Sequence, residues 1–190
     1  MTKNNHQFLI ALGSNIGLAK SRPVDIIKEA IIELSKSGII LKSLSRFYET
    51  PAYPKGSGPN FVNSVVKAET NYSAHAILQR LHKIEEKFER RRNSRWSART
   101  LDLDLLALEE QVLPSKEVFQ YWCDLPLSEQ KKKTPSELLL PHPRIQDRAF
   151  VLLPLLEIEP NWLHPILNKT ALQLYQELPE QTKKNIQTVQ

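Results

Sequence analysis

Apolar and polar residues repeat along this chain with two periods, and the points where the period changes divide it into elements. Residues 7–12 form a short apolar run ending at Gly13-Ser14-Asn15. Glycine tolerates positive φ and Ser or Asn can bond nearby backbone, so a strand running into a tight turn is expected. Over residues 23–36 the period becomes helical, with Ile27, Ala30, Ile31 and Leu34 on one face, Pro23 allowed in the first turn and Gly38 as the stop. A second strand is expected over 39–49. Residues 50–60 hold Pro51, Pro54, Gly56, Gly58 and Pro59 and read as a loop.

The β-branched run FVNSVVKAE at 61–69 predicts a strand in which Phe61, Asn63 and Val65 share one face and Val62, Ser64 and Val66 the other. Residues 73–88 predict a helix with Ile77, Leu78, Leu81, Ile84 and Phe88 as its buried stripe and Ser73 as its cap. TLDLDLLAL at 100–108 predicts a strand buried on most sides. The irregular stretch 114–135, ending in Lys131-Lys132-Lys133, reads as an excursion or lid-like connection. Helices are expected over 144–156 and 170–178. The order strand, helix, strand, strand, helix, strand predicts an α+β sandwich with helices covering one face of a mainly antiparallel sheet. One domain over 1–178 and a polar tail over 179–190 complete the expected organisation.

Length and composition narrow the class. The 190 residues suit one domain, and a 41% hydrophobic content supplies a core. No apolar run approaches the roughly 20 residues of a membrane helix, and the start is too short in apolar residues for a secretory signal, so neither a membrane nor an exported protein is expected. A single cysteine, Cys123, can form neither an internal disulfide nor a cysteine-rich zinc site, and the location expected is cytoplasmic.

The net charge of +5 is concentrated. Between residues 87 and 99 lie Lys87, Arg90, Arg91, Arg92, Arg95 and Arg99 against one acid, Glu89, while the remainder carries 20 charges of each sign. This is a local anion site, for which nucleic acid, an acidic partner or nucleotide phosphates are candidates. Directly after it, Asp102 and Asp104 emerge on the same face of a strand, opposite Leu101, Leu103 and Leu105. Two carboxylates this close need a compensating cation, and oxygen ligands suit Mg²⁺ completed by substrate phosphates. Arginine forks and carboxylate-held magnesium together would neutralise a nucleotide triphosphate. There is no G-x-x-x-x-G-K-[ST] loop and no kinase glycine-rich motif.

Other candidates are weaker. Phe61 beside Asn63 could stack on a flat heterocycle and read its edge, although Phe in a strand also serves as core, and Phe150 after Arg148 could supply a second ring. His142, fixed between two prolines before a helix, could bond an anion. His164 is equally compatible with surface packing, and His6, His75 and His82 have no partner pattern.

ALGSNIG at 11–17, FYETPAY at 47–53, FVNSVV at 61–66, RWSARTLDLDLL at 95–106 and LPHPRIQDRAFVLLPLLEIEP at 140–160 resemble, in content and order, the 6-hydroxymethyl-7,8-dihydropterin pyrophosphokinase family of folate biosynthesis. The resemblance implies a ferredoxin-like α+β sandwich with mobile catalytic loops, and transfer of pyrophosphate from ATP to the hydroxymethyl group of the reduced pterin, releasing AMP. It implies two Mg²⁺ ions on Asp102 and Asp104, a pterin sandwiched by Phe61 and Phe150 and read by Asn63, and a pocket completed by Thr50, Pro51 and Tyr53. Arg90, Arg92, Arg99, His142 and Arg148 would meet ATP phosphates, the four arginines acting in catalysis. A monomer acting on small molecules, with no nucleic acid or membrane partner, is expected. Three departures stand out: Ser97-Ala98 replace the family's Gly-Pro in the arginine loop, that loop is about one residue short between Arg92 and Arg95, and the connection at 114–136 is longer than usual.

Overall fold

The structure, a computed structural model, describes residues 5–18, 21–52, 58–88, 100–126, 129 and 133–189. Strand β1 (His6–Ser14) is central, and the sheet runs β5 (Asp102–Leu108), β1, β4 (Phe61–Thr70), β3 (Tyr48–Thr50), β6 (Gln187–Thr188), with β2 (Ile40–Leu44) also on β4. Every ladder among the described residues is antiparallel.

The helices lie on both faces of this sheet, not on one as the element order suggested. Phe8, Ile10 and Leu12 of β1 pack with Ile27, Ala30 and Leu34 of α1 (Pro23–Lys36) and with Ile77, Leu81 and Ile84 of α2 (Ala74–Lys87). The opposite face, with Leu9, Val65 and Leu106, is covered by Val151, Leu152 and Leu155 of α4 (Ala149–Ile158) and by Ala171 and Leu174 of α5 (Ala171–Glu177). The physical reason is visible in α4, which is apolar around nearly its whole circumference and is stable only when enclosed. Gly38 ends α1 with φ +84, a conformation a side chain would strain; an added Cβ would also lie 2.7 Å from the Tyr72 hydroxyl.

Three further expectations change. The strand expected at 39–49 breaks at residues 45–47, because the Ser45 side chain intrudes on the ladder. Its hydroxyl accepts from Val65 N–H at 3.0 Å, while its own N–H donates to Val65 O at 3.0 Å. The excursion at 114–135 contains a helix, α3 (Lys116–Asp124), capped by Ser115 and anchored by the fully buried Phe119. At 144–156 a 3₁₀ turn (Ile145–Asp147) precedes α4. The polar C-terminal segment is tied down: after the short α6 (Glu180–Lys183), β6 pairs with β3 and Val189 N–H donates to Phe47 O at 2.8 Å. No helix among the described residues is long and apolar enough to cross a membrane.

His164 is buried outright, contrary to a surface role, between the rings of Phe119 and Trp162. Its Nδ1 accepts from the N–H groups of Ile166 and Leu167, each at 3.2 Å, and burial pushes its pKa down to about 4. The unfolded chain, with an ordinary histidine pKa near 6.5, binds this proton first as pH falls. Stability from neutral His164 is therefore full above about pH 6.5 and is lost as pH falls toward 4, a contribution of roughly 3 kcal/mol. Denaturant titrations at pH 7 and pH 4.5 should show a smaller difference for His164→Gln than for the parental chain; equal differences would remove His164 from the acid response.

Candidate active site

The register of three strands builds the site. Gly13 of β1 lies opposite Asn63 of β4 on one side and Asp102 of β5 on the other; two residues back, Ala11 lies between Val65 and Asp104. Residues two apart share a face, so Asn63, Gly13 and Asp102 form one row and Asp104 the end of the next. Small residues in the central strand keep the floor low. An added Cβ on Gly13 would stand 3.1 Å from Asn63 Oδ1, 3.9 Å from Asp102 Cβ and 3.9 Å from Phe61 Cδ1.

The Asn63 amide is buried and oriented, with its Nδ2 donating to Thr50 Oγ1 at 2.7 Å. This bond ties β4 to the end of β3 and leads into Pro51. The Asn15 side chain donates to Pro59 O at 3.2 Å, joining the end of β1 to the other end of that loop. Strand β3 is held from below by Glu157 of α4, whose carboxylate accepts from the Tyr48 hydroxyl at 2.6 Å and from Arg46 N–H at 2.8 Å. Burial and this carboxylate push the Tyr48 pKa up to about 12, so the phenol remains a donor.

On the other side, Arg148 donates to Asp104 Oδ2 at 3.1 Å, and its guanidinium lies 5.6 Å from the centroid of the half-exposed Phe150 ring. His142 Nε2 is 4.0 Å from the same Asp104 oxygen. Burial, followed by the charge of Arg148, holds the His142 pKa well below the usual range, and its Nδ1 accepts from Arg144 N–H at 3.1 Å. The neutral ring therefore keeps its proton on Nε2, facing Asp104. The backbone N–H of His142 donates to Leu106 O at 2.7 Å, which binds the 141–144 turn to the outer edge of β5.

Asp102, Asp104, His142 and Arg148 are thus brought together, and Asn63, Thr50 and Phe61 lie across Gly13 from Asp102. Arg90, Arg92, Arg99 and Tyr53 lie outside the described residues. The ends of the arginine-rich segment are joined, since Thr100 Oγ1 donates to Phe88 O at 2.5 Å, two residues before Asp102. An open groove of about 660 Å³ lies at the opposite end of β1, lined by Gln7, Lys67, Glu109, Glu159, Trp162 and Leu163. It contains none of the sequence candidates, and its Lys67 is already paired with Glu159 at 2.5 Å. His6 has a distant partner after all, Glu109 at 3.1 Å.

The sequence reading missed Glu85. It is buried on α2, and its Oε1 accepts from Leu103 N–H at 2.8 Å, the amide between the two aspartates. Its spacing carried the signal: Ile77, Leu81, Ile84, Glu85 and Phe88 all fall on the stripe facing the sheet.

The sequence model of the family described as 7,8-dihydro-6-hydroxymethylpterin-pyrophosphokinase matches residues 9–160. The chain is 35% identical over 175 residues to a Synechocystis protein named 2-amino-4-hydroxy-6-hydroxymethyldihydropteridine pyrophosphokinase, covering 91% of this chain and 76% of that one. An Aquifex aeolicus protein of the same name is 31% identical, with 92% of each covered. Among solved structures, wild-type Plasmodium falciparum HPPK-DHPS has the same fold, with TM-score 0.67 and 16% identity over 97% of this chain. The match spans 48% of that longer chain.

Removing the Glu85 carboxylate leaves the buried Leu103 N–H without its acceptor, a cost of about 1–3 kcal/mol. Glu85→Ala should lose at least that in denaturant unfolding and expose the Leu103 amide to faster hydrogen exchange. Parental exchange at Leu103 would show that the bond does not hold the strand.

Proposed function

The chain belongs to the 7,8-dihydro-6-hydroxymethylpterin-pyrophosphokinase family, and on that premise we propose that it transfers pyrophosphate from ATP to the hydroxymethyl group of 6-hydroxymethyl-7,8-dihydropterin. The observation that carries the reading is the row Asn63–Gly13–Asp102, which sets a heterocycle-reading amide and an acidic pair on one face of the sheet, two strand spacings or about 10 Å apart. We also read the core as ferredoxin-like, supported by β1 lying between β4 and β5 and by the crossovers through α1 and α2.

In this proposal the hydroxymethyl oxygen of the pterin attacks the β-phosphorus of ATP. The new O–P bond forms as the bond from the β-phosphorus to the oxygen bridging it to the α-phosphorus breaks, AMP departs with that oxygen, and the hydroxyl proton passes to solvent. The pterin edge is read by Asn63, whose orientation is fixed by Thr50, with Phe61 and Phe150 against its faces and Pro51 and Tyr53 completing the pocket. Asp102 and Asp104 would hold Mg²⁺, two ions in the expected arrangement. The donor set fits, since hard carboxylate oxygens are the ligands magnesium takes when phosphates and water complete its shell. When bound, magnesium supplies charge neutralisation on the phosphate oxygens. Arg148 and the neutral His142 donate from the nucleotide side, and Arg90, Arg92 and Arg99 would meet the phosphates as well. Positioning and charge do most of the work, and no residue needs to act as a dedicated base.

The test is product analysis with purified protein, ATP, Mg²⁺ and the reduced hydroxymethylpterin: AMP and the pterin diphosphate should form in equal amounts, and formation of ADP or no product would reject the reading. Asp102→Asn and Asp104→Asn should each cut turnover at least on the order of 100-fold while leaving the fold intact. Near-parental turnover at limiting magnesium would remove the carboxylates from the metal site. In equilibrium titrations, Phe61→Ala should weaken pterin more than ATP, and Asn63→Ala should in addition blunt discrimination against pterins altered on the hydrogen-bonding edge. Equal losses for both ligands would indicate scaffold damage.

A further inference from the structure

The contacts of α3 lead into the site. Phe119 is wholly enclosed and packs on the His164 ring at 5.5 Å between centroids, which seats the helix on the body of the protein. Three residues of the 143–146 turn then meet Cys123 at its C-terminal end. Arg144 Nη1 donates to Cys123 O at 3.2 Å, the thiol donates to Pro143 O at 3.3 Å, and Gln146 Nε2 lies 3.6 Å from the sulfur while donating to Pro143 O at 2.9 Å. That same turn carries the site on both its flanks. Arg144 N–H fixes the His142 ring through Nδ1, and the Arg148 N–H donates to Ile145 O at 3.2 Å.

We propose that α3 is a positioning element: docked by Phe119, it braces the 143–146 turn through Cys123 and so holds His142 and Arg148 against Asp104. None of the α3 residues touches the reacting groups in this proposal. Among the described residues, the backbone of the 141–144 turn is bonded to β5 through His142 N–H and Leu106 O, with Leu140 paired to Leu113 before it and Ile145 seated in the core after it, which leaves Pro143 and Arg144 between two anchors. Contacts from Cys123 of α3 to Pro143, Arg144 and Gln146 supply a further attachment that limits the turn's rotation. The effect should fall on the nucleotide side, because Asn63 and Thr50 are held by β3, β4 and Glu157, which α3 does not join.

The experiment pairs hydrogen exchange with kinetics on the full chain. Phe119→Ala should raise amide exchange at His142, Arg144 and Arg148 by about 10-fold or more while β1 and β4 stay protected. It should lower kcat/KM for ATP by about 10-fold with the pterin dissociation constant within about 2-fold of parental. Cys123→Ala and Arg144→Gln leave Phe119 in place and should produce smaller changes of the same pattern, so the proposal remains testable if Phe119→Ala does not fold. Cys123→Ser, which keeps a donor and an acceptor, should restore most of the loss. Parental exchange at these amides in the folded variants would overturn the bracing. Raised exchange with unchanged ATP kinetics would equally overturn it as a positioning device. The kinetic arm rests on the pyrophosphokinase reading; a parental protein without that activity would sink that reading, whereas the exchange arm reports on the brace alone.

Discussion

The arrangement depends on one position in the central strand having no side chain. Gly13 lies between Asn63 and Asp102 in register, and even a methyl group there would crowd the Asn63 carbonyl oxygen at 3.1 Å. A strand spacing of about 5 Å separates neighbours in such a row, so the amide and the carboxylate can serve one pair of joined substrates only if the strand between them contributes backbone alone. Ala11 continues the low floor beneath Asp104. The side chains on the reverse of β1, Phe8, Ile10 and Leu12, are all in the core and seat the strand against α1 and α2.

Strand β5 presents the complementary problem. It lies at the edge of the sheet yet is mostly buried, so its outward backbone groups need partners that no neighbouring strand supplies. Glu85 accepts from Leu103 and His142 N–H donates to Leu106, one partner from α2 and one from the 141–144 turn. The edge that would otherwise invite another strand is thereby occupied by groups that orient the site. The aspartates, being on the free end of the same strand, inherit their geometry from these two attachments.

Much of this was legible in the sequence because it follows from short periods. The alternation in 61–69 and 100–108 assigned Asn63, Asp102 and Asp104 to shared faces, and the caps and stripes of α1 and α2 follow the helical pattern. The two-sided cover was also present, unread, in the unbroken run Phe8-Leu9-Ile10-Ala11-Leu12, which marks a strand buried on both faces. Other features depend on pairings far apart in the chain. Nothing local to Ser45 says that its hydroxyl will replace a backbone group in pairing with Val65, and nothing local to residues 187–189 says that they will meet Phe47 and Tyr48. His164 and Phe119 each look unremarkable alone, and only their contact explains why the long connection holds a helix.

The central claim is that one row across β4, β1 and β5 receives both substrates. A crystal structure with Mg²⁺, a non-hydrolysable ATP analogue and the reduced hydroxymethylpterin tests it most directly. The account predicts the pterin ring beside Asn63 and Phe61, and the nucleotide's phosphates at Asp102, Asp104 and Arg148, with the hydroxymethyl group above Gly13. Either ligand seated instead in the groove lined by Glu109, Glu159 and Trp162, with the Gly13 row untouched, would contradict it.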